Sequence, residues 1–293
     1  MREHGEGGIS YGVSFGGRET QDTIATGVFA SRTAPDQRIA RMLTCSLQSG
    51  SNGNAIYVEA GRTRLLFDAG ISGRQVGLRL ARHGRAIRDL DALILSHEHV
   101  DHVRVAGPIH RMHGVPVYAT AATLRAARTN LKRITRPVTF VAGDALRIGE
   151  ATIHTIPTPH DAADGVCFVV EHGRRRLGIL TDLGHVFDEL PGVLRGVHAA
   201  YVESNFDPQM LADGPYHPDV KARIAGPAGH LSNDEAAELI ANNGAHLRWA
   251  ALAHLSEENN APEVALRAHR RRIGRDAPLW VAGRYQVSKM FEV

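Results

Sequence analysis

Beyond about residue 41 the chain alternates between short apolar runs and stretches with helical periodicity. The runs at 42–47, 54–60 and 64–70 predict strands, and the largely apolar run at 90–95 predicts a buried strand. A strand-rich middle follows at 138–180 and includes a hairpin around His172 and Gly173. Helices are predicted where apolar positions recur every three to four residues, at residues 74–83, 103–113, 121–130, 233–242 and 262–272.

This pattern indicates two regions. Residues 1–41 are rich in Gly, Ser and Thr and lack periodicity, so we expect a flexible N-terminal tail. Residues 42–293 show no repeat and no composition shift, and a chain of this length can form one α/β domain. Strands and helices occur in both halves of that domain, as in a layered sandwich of sheets and helices.

The composition bears on where the protein is located and on whether it contains disulfide bonds. No apolar run approaches the ~20 residues that a membrane helix needs, and the N-terminus has acidic and Gly residues where a secretory signal has an apolar core. We therefore expect a cytoplasmic protein without membrane contact. Cys45 and Cys167 are the only cysteines, which predicts no disulfide framework and two buried, small apolar side chains.

The net charge of +3 permits a phosphate-bearing partner without requiring one. Arginines cluster at Arg174, Arg175 and Arg176, across residues 267–275, and at helical spacing at 79, 82 and 85. These clusters are either solvated surfaces or a groove that follows a nucleic-acid backbone.

The densest chemical signal is the stretch SHEHVDH at residues 96–102, directly after the strand predicted at 90–95. His97 and His99 alternate along an extended segment, and Asp101 and His102 lie on the following turn. Imidazole and carboxylate together suit Zn, Mn or Fe. One metal cannot comfortably take four ligands from so short a segment, whereas two adjacent metals can.

Three later segments also end an apolar run with a residue that can bind metal. They contribute His160 after residues 151–156, Asp182 after the run at 177–180, and His254 after 250–253. The pattern HxHxDH followed by these three residues resembles the metallo-β-lactamase superfamily, whose fold is a four-layer αβ/βα sandwich. The strings GHLSN at 229–233 and HLSEENN at 254–260 resemble YycJ/WalJ-type hydrolases, which are regarded as DNA exonucleases.

The resemblance implies a ligand set and a nucleophile. His97, His99 and His160 would hold one metal, Asp101, His102 and His254 the second, and Asp182 would bridge both together with a hydroxide that attacks the phosphodiester. The implied cofactors are two divalent metal ions, Zn or Mn, with Fe as a further candidate. Asp68, at the end of its strand, is expected to hydrogen-bond a ligand histidine.

The resemblance also implies a catalytic set of His230, Glu203 and the ligand Asp101. His230 precedes a helix capped by Ser232 or Asn233 and would protonate the leaving group, while Glu203 would orient it. For the loop at 49–54 two compatible interpretations are open: it makes a tight turn, and it presents backbone amides to the substrate phosphate.

Two functions remain open on the same ligands. The first is a nuclease acting on DNA or RNA. The second is a small-molecule hydrolase acting on a cyclic phosphate, a lactone or a thioester. A homodimer is left open as well. The compact chain, without a long inserted arm or cap domain, favours DNA or small phosphodiesters as substrates.

Overall fold

The structure, a computed structural model, describes residues 41–293. The tail predicted at residues 1–41 lies outside the described residues, apart from Arg41, so the domain boundary stays a prediction. Arg41 pairs with Glu292, with 3.1 Å between Nε and Oε2.

Within residues 41–293 the chain forms fourteen strands and ten α-helices. The strands are β1 (Met42–Gln48), β2 (Ala55–Ala60), β3 (Thr63–Phe67), β4 (Ala92–Ile94), β5 (Val117–Thr120), β6 (Val138–Phe140), β7 (Ala145–Ile148), β8 (Ala151–Pro157), β9 (Val166–His172), β10 (Arg175–Leu180), β11 (Ala199–Glu203), β12 (Trp249–Ala253), β13 (Leu279–Val281) and β14 (Phe291–Glu292). The helices are α1 (Gly73–Ala81), α2 (Val100–Val103), α3 (Ala106–His113), α4 (Ala121–Ala126), α5 (Arg128–Leu131), α6 (Leu190–Arg195), α7 (Pro208–Asp213), α8 (Pro218–Ile224), α9 (Asn233–Asn243) and α10 (Pro262–Ile273).

The strands form two seven-stranded sheets. The first sheet has the order β14-β1-β2-β3-β4-β5-β6, and the second has the order β13-β12-β11-β10-β9-β8-β7. In the first sheet β3, β4 and β5 run parallel, and in the second β10, β11 and β12 run parallel. Since parallel strands end at the same edge, the residues that follow these strands can meet in one cleft.

Three buried apolar clusters show that sheets and helices form four layers. Between the sheets, the rings of Phe67 in β3 and Phe168 in β9 pack with centroids 5.0 Å apart. Val76 of α1 and Ile109 of α3 pack on the outer face of the first sheet. Apolar side chains of α6, α9 and α10 cover the outer face of the second. These layers confirm the predicted αβ/βα sandwich.

Some elements differ from the prediction for reasons that lie outside the local sequence. The run at 90–95 contributes only three residues to β4. The helix predicted at 103–113 is divided into α2 and α3, because the Val105 N–H donates to the carbonyl of Ala69 at 2.9 Å instead of continuing the helix. Strands β5, β11, β13 and β14 and helices α6, α7 and α8 were not predicted from the sequence. Among the described residues no helix is long and apolar enough to cross a bilayer.

Three strand ends adopt the left-handed backbone conformation that residues other than glycine seldom adopt. Asp68 follows β3 with φ 60°, Asp182 follows β10 with φ 58°, and His254 follows β12 with φ 55°. Asp and His tolerate this region better than most residues. Such conformations cost energy and concentrate at functional sites, and these three residues all lie at the edge where the parallel strands end.

Candidate metal centre

The HEHVDH motif spans the transition from β4 to α2. His97 precedes the turn, His99 is the residue before the first turn of α2, and Asp101 and His102 lie within that turn. Asp101 is also fixed through its backbone, because its carbonyl accepts a hydrogen bond from the Asn54 N–H at 2.8 Å. This arrangement places all four side chains of the motif on one side of the cleft between the sheets.

The structure brings six of the predicted ligands together in two groups of three. His97, His99 and His160 have one nitrogen each within 4.8 Å of one another, and so do the ligand atoms of Asp101, His102 and His254. These are the two sets that the family resemblance assigned to separate metals.

Asp182 lies between the two groups. Its Oδ1 is 3.4 Å from Nε2 of His254 and 3.9 Å from Nε2 of His160. Its Oδ2 is 3.5 Å from Nε2 of His102. A carboxylate in this position can reach cations held by either group.

Two buried atoms without hydrogen-bond partners indicate that the residues suit a metal. His97 Nε2 and Asp182 Oδ2 are both fully enclosed and have no partner among the described residues. Burial and the neighbouring His102 hold the pKa of His97 well below its ordinary value, so its imidazole is neutral and can act as a ligand. Burial alone would raise the pKa of Asp182, but four surrounding histidines hold it far below the usual range.

Hydrogen bonds behind the ligands orient their rings. Nδ1 of His102 lies 2.8 Å from Asp68 Oδ2, in agreement with the role predicted for Asp68. Nδ1 of His160 lies 2.9 Å from the carbonyl of Gly229. A carboxylate or carbonyl at Nδ1 fixes the tautomer that leaves Nε2 free for a metal.

Glu203 and His230 form a close pair beside these ligands. Glu203 is completely buried, and its Oε1 lies 2.6 Å from Nδ1 of His230. Burial alone would raise the pKa of Glu203, but the charge and hydrogen bond of His230 lower it to about 2. The His230 ring lies between two candidate ligand histidines, with centroids 4.9 Å from His160 and 5.2 Å from His254.

The sequence did not reveal a buried polar network behind His254. Asn205 Nδ2 donates to the carbonyl of His254 at 2.8 Å and lies 3.1 Å from its Nδ1. Asn260 donates to the carbonyl of Asn205 and also contacts Asn233, the first residue of α9. The network therefore joins the two strings, GHLSN and HLSEENN, that carried the closer resemblance.

The loop at 49–54 is held by hydrogen bonds within the loop and to neighbouring segments, and these occupy most of its backbone amides. Asn54 Oδ1 accepts from the Gly50 N–H at 3.0 Å and from Ser49 Oγ at 3.3 Å. The amides of Ser49, Ser51 and Gly53 donate to backbone carbonyls. Of the two interpretations, the tight turn fits the structure better than phosphate binding by backbone amides.

The mouth of the centre is a cavity of about 300 Å³. Val100 and Arg223 contribute to its lining, together with the candidate ligands and His230. Arg223 is in α8, its Nε donates to Asp161 Oδ2 at 2.5 Å, and Asp161 Oδ1 lies 3.3 Å from Nε2 of His160. Arg223 was not singled out from sequence because it belongs to no basic run.

The arginine clusters noted in the sequence lie away from this mouth. Arg174–Arg176 are at the start of β10, one strand length or roughly 20 Å from Asp182 at its other end. Helix α10 begins beside the site and ends near the start of β13, so its terminal arginines lie at the opposite edge of the sheet. Arg79 is buried and donates to the carbonyl of Leu47 at 2.8 Å, so it is not on a solvated helix face.

Comparison with known proteins agrees with this geometry. Residues 63–252 match the sequence profile of the beta-lactamase superfamily domain. The chain is 34% identical to exodeoxyribonuclease YycJ of Bacillus anthracis, over 75% of this chain and 84% of that protein. It is also 34% identical to exodeoxyribonuclease WalJ of Streptococcus pneumoniae, over 75% of this chain and 83% of that protein.

Among solved structures, the metallo-beta-lactamase fold protein YhfI from Bacillus subtilis superposes with a TM-score of 0.69 at 18% sequence identity. The superposition covers 87% of this chain and all of the other. At this identity the likeness bears on the fold alone.

Proposed function

Because this chain belongs to the metallo-β-lactamase superfamily and is a hydrolase of its YycJ/WalJ group, we propose that it is a two-metal exonuclease that cleaves the phosphodiester bonds of DNA. RNA is a second substrate of the same chemical class.

The observation that carries the proposal is the position of Asp182 between two histidine-containing ligand groups, with His230 adjacent to both. His97, His99 and His160 would hold one divalent ion, Asp101, His102 and His254 the second, and Asp182 would contact both. Two such ions activate a water molecule and offset the charge that develops on the phosphate oxygens.

The chain's own residues supply the proton. His230 is partly exposed at the mouth, and its Nδ1 faces Glu203, so its Nε2 is available to a leaving oxygen. Glu203 is the residue that positions His230, because its buried carboxylate also accepts from the backbone N–H of Leu183 at 3.0 Å and is thereby fixed. General acid catalysis from such a group is typically worth 10²–10⁴-fold.

The choice of DNA rests on the relatives. Both are named exodeoxyribonucleases, and the alignment with each covers more than four fifths of the relative's length. The second candidate is hydrolysis of a small phosphodiester, which the limited volume of the mouth, about 300 Å³, would accommodate without a further surface.

The deciding experiment incubates the full chain with Mn²⁺ or Zn²⁺ and four substrates. These are end-labelled double-stranded DNA, single-stranded DNA, a structured RNA and bis(p-nitrophenyl) phosphate. Progressive shortening of DNA from one end supports the proposal. Turnover of bis(p-nitrophenyl) phosphate, with all DNA and RNA left intact, would support the small-molecule alternative instead.

A further inference from the structure

One segment of the chain, which begins at the last residue of the HEHVDH motif, is basic and contains no acidic residue. Residues 102–143 hold seven Lys and Arg and neither Asp nor Glu. The rest of the chain contains the other 27 basic residues and all 31 acidic residues. The net charge of +3 is therefore the sum of a basic segment and a remainder of the chain that is slightly acidic.

All seven cations of the segment are exposed, and we refer to them as the basic face: Arg104, Arg111, Arg125, Arg128, Lys132, Arg133 and Arg136. Within residues 41–293, none of them forms an ion pair with an Asp or Glu side chain. Charges that the fold does not neutralise are available to an anionic partner.

The residues of the basic face come from helices that pack against one another and from the chain that follows them. Helix α5 packs against α2, α3 and α4. Gly107 of α3 lies so close to α5 that a Cβ there would come within 2.1 Å of the Leu131 carbonyl oxygen. Arg111 Nη1 donates to the carbonyls of Leu131 at 2.8 Å and Arg133 at 3.2 Å, which ties α3 to the chain after α5.

The surface also begins at the metal centre. Arg104 directly follows α2, and Asp101 and His102 lie within that short helix. A polyanion placed along the basic face would therefore reach the mouth at the end occupied by Arg104.

We propose that the basic face binds the phosphate backbone of duplex DNA and guides one end of it to the metal centre. The proposal rests on the proposed nuclease function. A duplex fits better than a single strand, because single-strand binding normally uses exposed aromatic side chains as stacking platforms. The segment has only Tyr118 and Phe140, and both pack against the core between the sheets.

The experiment compares two triple variants. The first, Arg125→Gln/Arg128→Gln/Lys132→Gln, neutralises part of the basic face. Its matched control, Arg267→Gln/Arg270→Gln/Arg271→Gln, removes three exposed arginines from α10, at the opposite edge of the second sheet. The probe is a duplex closed by hairpins at both ends, which an exonuclease cannot shorten, and binding to the metal-loaded chain is measured by fluorescence anisotropy at several salt concentrations.

The first variant should bind the duplex more weakly, and the slope of log affinity against log salt should flatten by about 0.9 for each phosphate that the variant no longer neutralises. The control should match wild type. Both variants should turn over bis(p-nitrophenyl) phosphate at the wild-type rate, which shows that folding and the metal centre are intact.

The outcomes separate this inference from the proposed function. If wild type degrades DNA but the first variant keeps the full salt slope, the basic face is not the binding surface and the nuclease function stands. If wild type binds the duplex through the face but cleaves no DNA, the nuclease function fails and the surface stands. Binding of single strands with no affinity for the closed duplex would overturn the choice of duplex.

Discussion

Glu203 lies 2.6 Å from His230 Nδ1, and the same oxygen lies 3.4 Å from Nδ1 of His254. One buried carboxylate thus touches both the proposed proton donor and a proposed metal ligand. Changes at Glu203 and at His230 should therefore differ in their effect on metal binding.

Replacing His230 with Ala should lower kcat on DNA by about 10²–10⁴-fold and leave metal content unchanged, because in the proposed mechanism His230 supplies a proton and is not a metal ligand. The loss should be much smaller on bis(p-nitrophenyl) phosphate, whose leaving group needs little protonation. His113→Ala, which removes an exposed histidine of α3, is the control. Equal losses on both substrates would show that His230 is not a general acid.

Replacing Glu203 with Gln should impair both functions of the carboxylate. We expect the reduction of kcat seen with His230→Ala together with metal affinity weakened about 10–100-fold, since His254 is deprived of a charged partner. Titration with a competing chelator measures the affinity. Wild-type metal affinity in this variant would mean that Glu203 acts through His230 alone.

Replacing Asp182 with Asn should abolish almost all activity and reduce metal content, because the side chain between the two ligand groups is no longer charged. Asp188→Asn, at an exposed position, is the control and should retain both properties. Elemental analysis of fully active wild-type protein should give two metal ions per chain. A value of one or fewer would contradict the two-metal proposal.

Metal binding should strengthen as the pH rises. Burial alone would lower the pKa of His254, but Asp182, Asp101 and Glu203 raise it to about 10 in the metal-free chain. His254 is therefore protonated at neutral pH, whereas a metal ligand must be neutral, so each metal bound there displaces a proton. Calorimetry in buffers of different ionisation enthalpy should detect proton release. Affinity that is constant between pH 6 and 9 would contradict this prediction.

Local sequence was sufficient to find the segments that the fold brings together as candidate metal ligands, because each of them lies at or shortly after the end of a recognisable apolar run. It named Glu203 through the family resemblance but not its complete burial, which depends on packing between β11 and the loops that carry Leu183 and Leu231. The network of Asn205, Asn233 and Asn260 was missed for the same reason, since asparagines far apart in sequence meet only in the folded chain.

The positions of the arginines show a second limit of prediction from local sequence. Runs such as Arg174–Arg176 are conspicuous in the sequence, but the direction of β10 places them at the end of the sheet opposite to Asp182 and the candidate metal centre. The basic face is formed by cations that are spaced out along the sequence and joined by helix packing. Its signal in the sequence is the absence of acidic residues over 102–143, a long-range property that inspection of basic clusters does not detect.

The short strand β14 has a consequence for the order in which the protein acquires its structure. It pairs with β1 through Glu292 opposite Leu43, and the Val293 N–H donates to the Met42 carbonyl at 3.1 Å. Among the described strands β1 is the first in chain order and β14 the fourteenth. Until β14 pairs with it, that edge of β1 presents unpaired backbone groups to other chains, so we expect aggregation to be favoured while β14 is unformed.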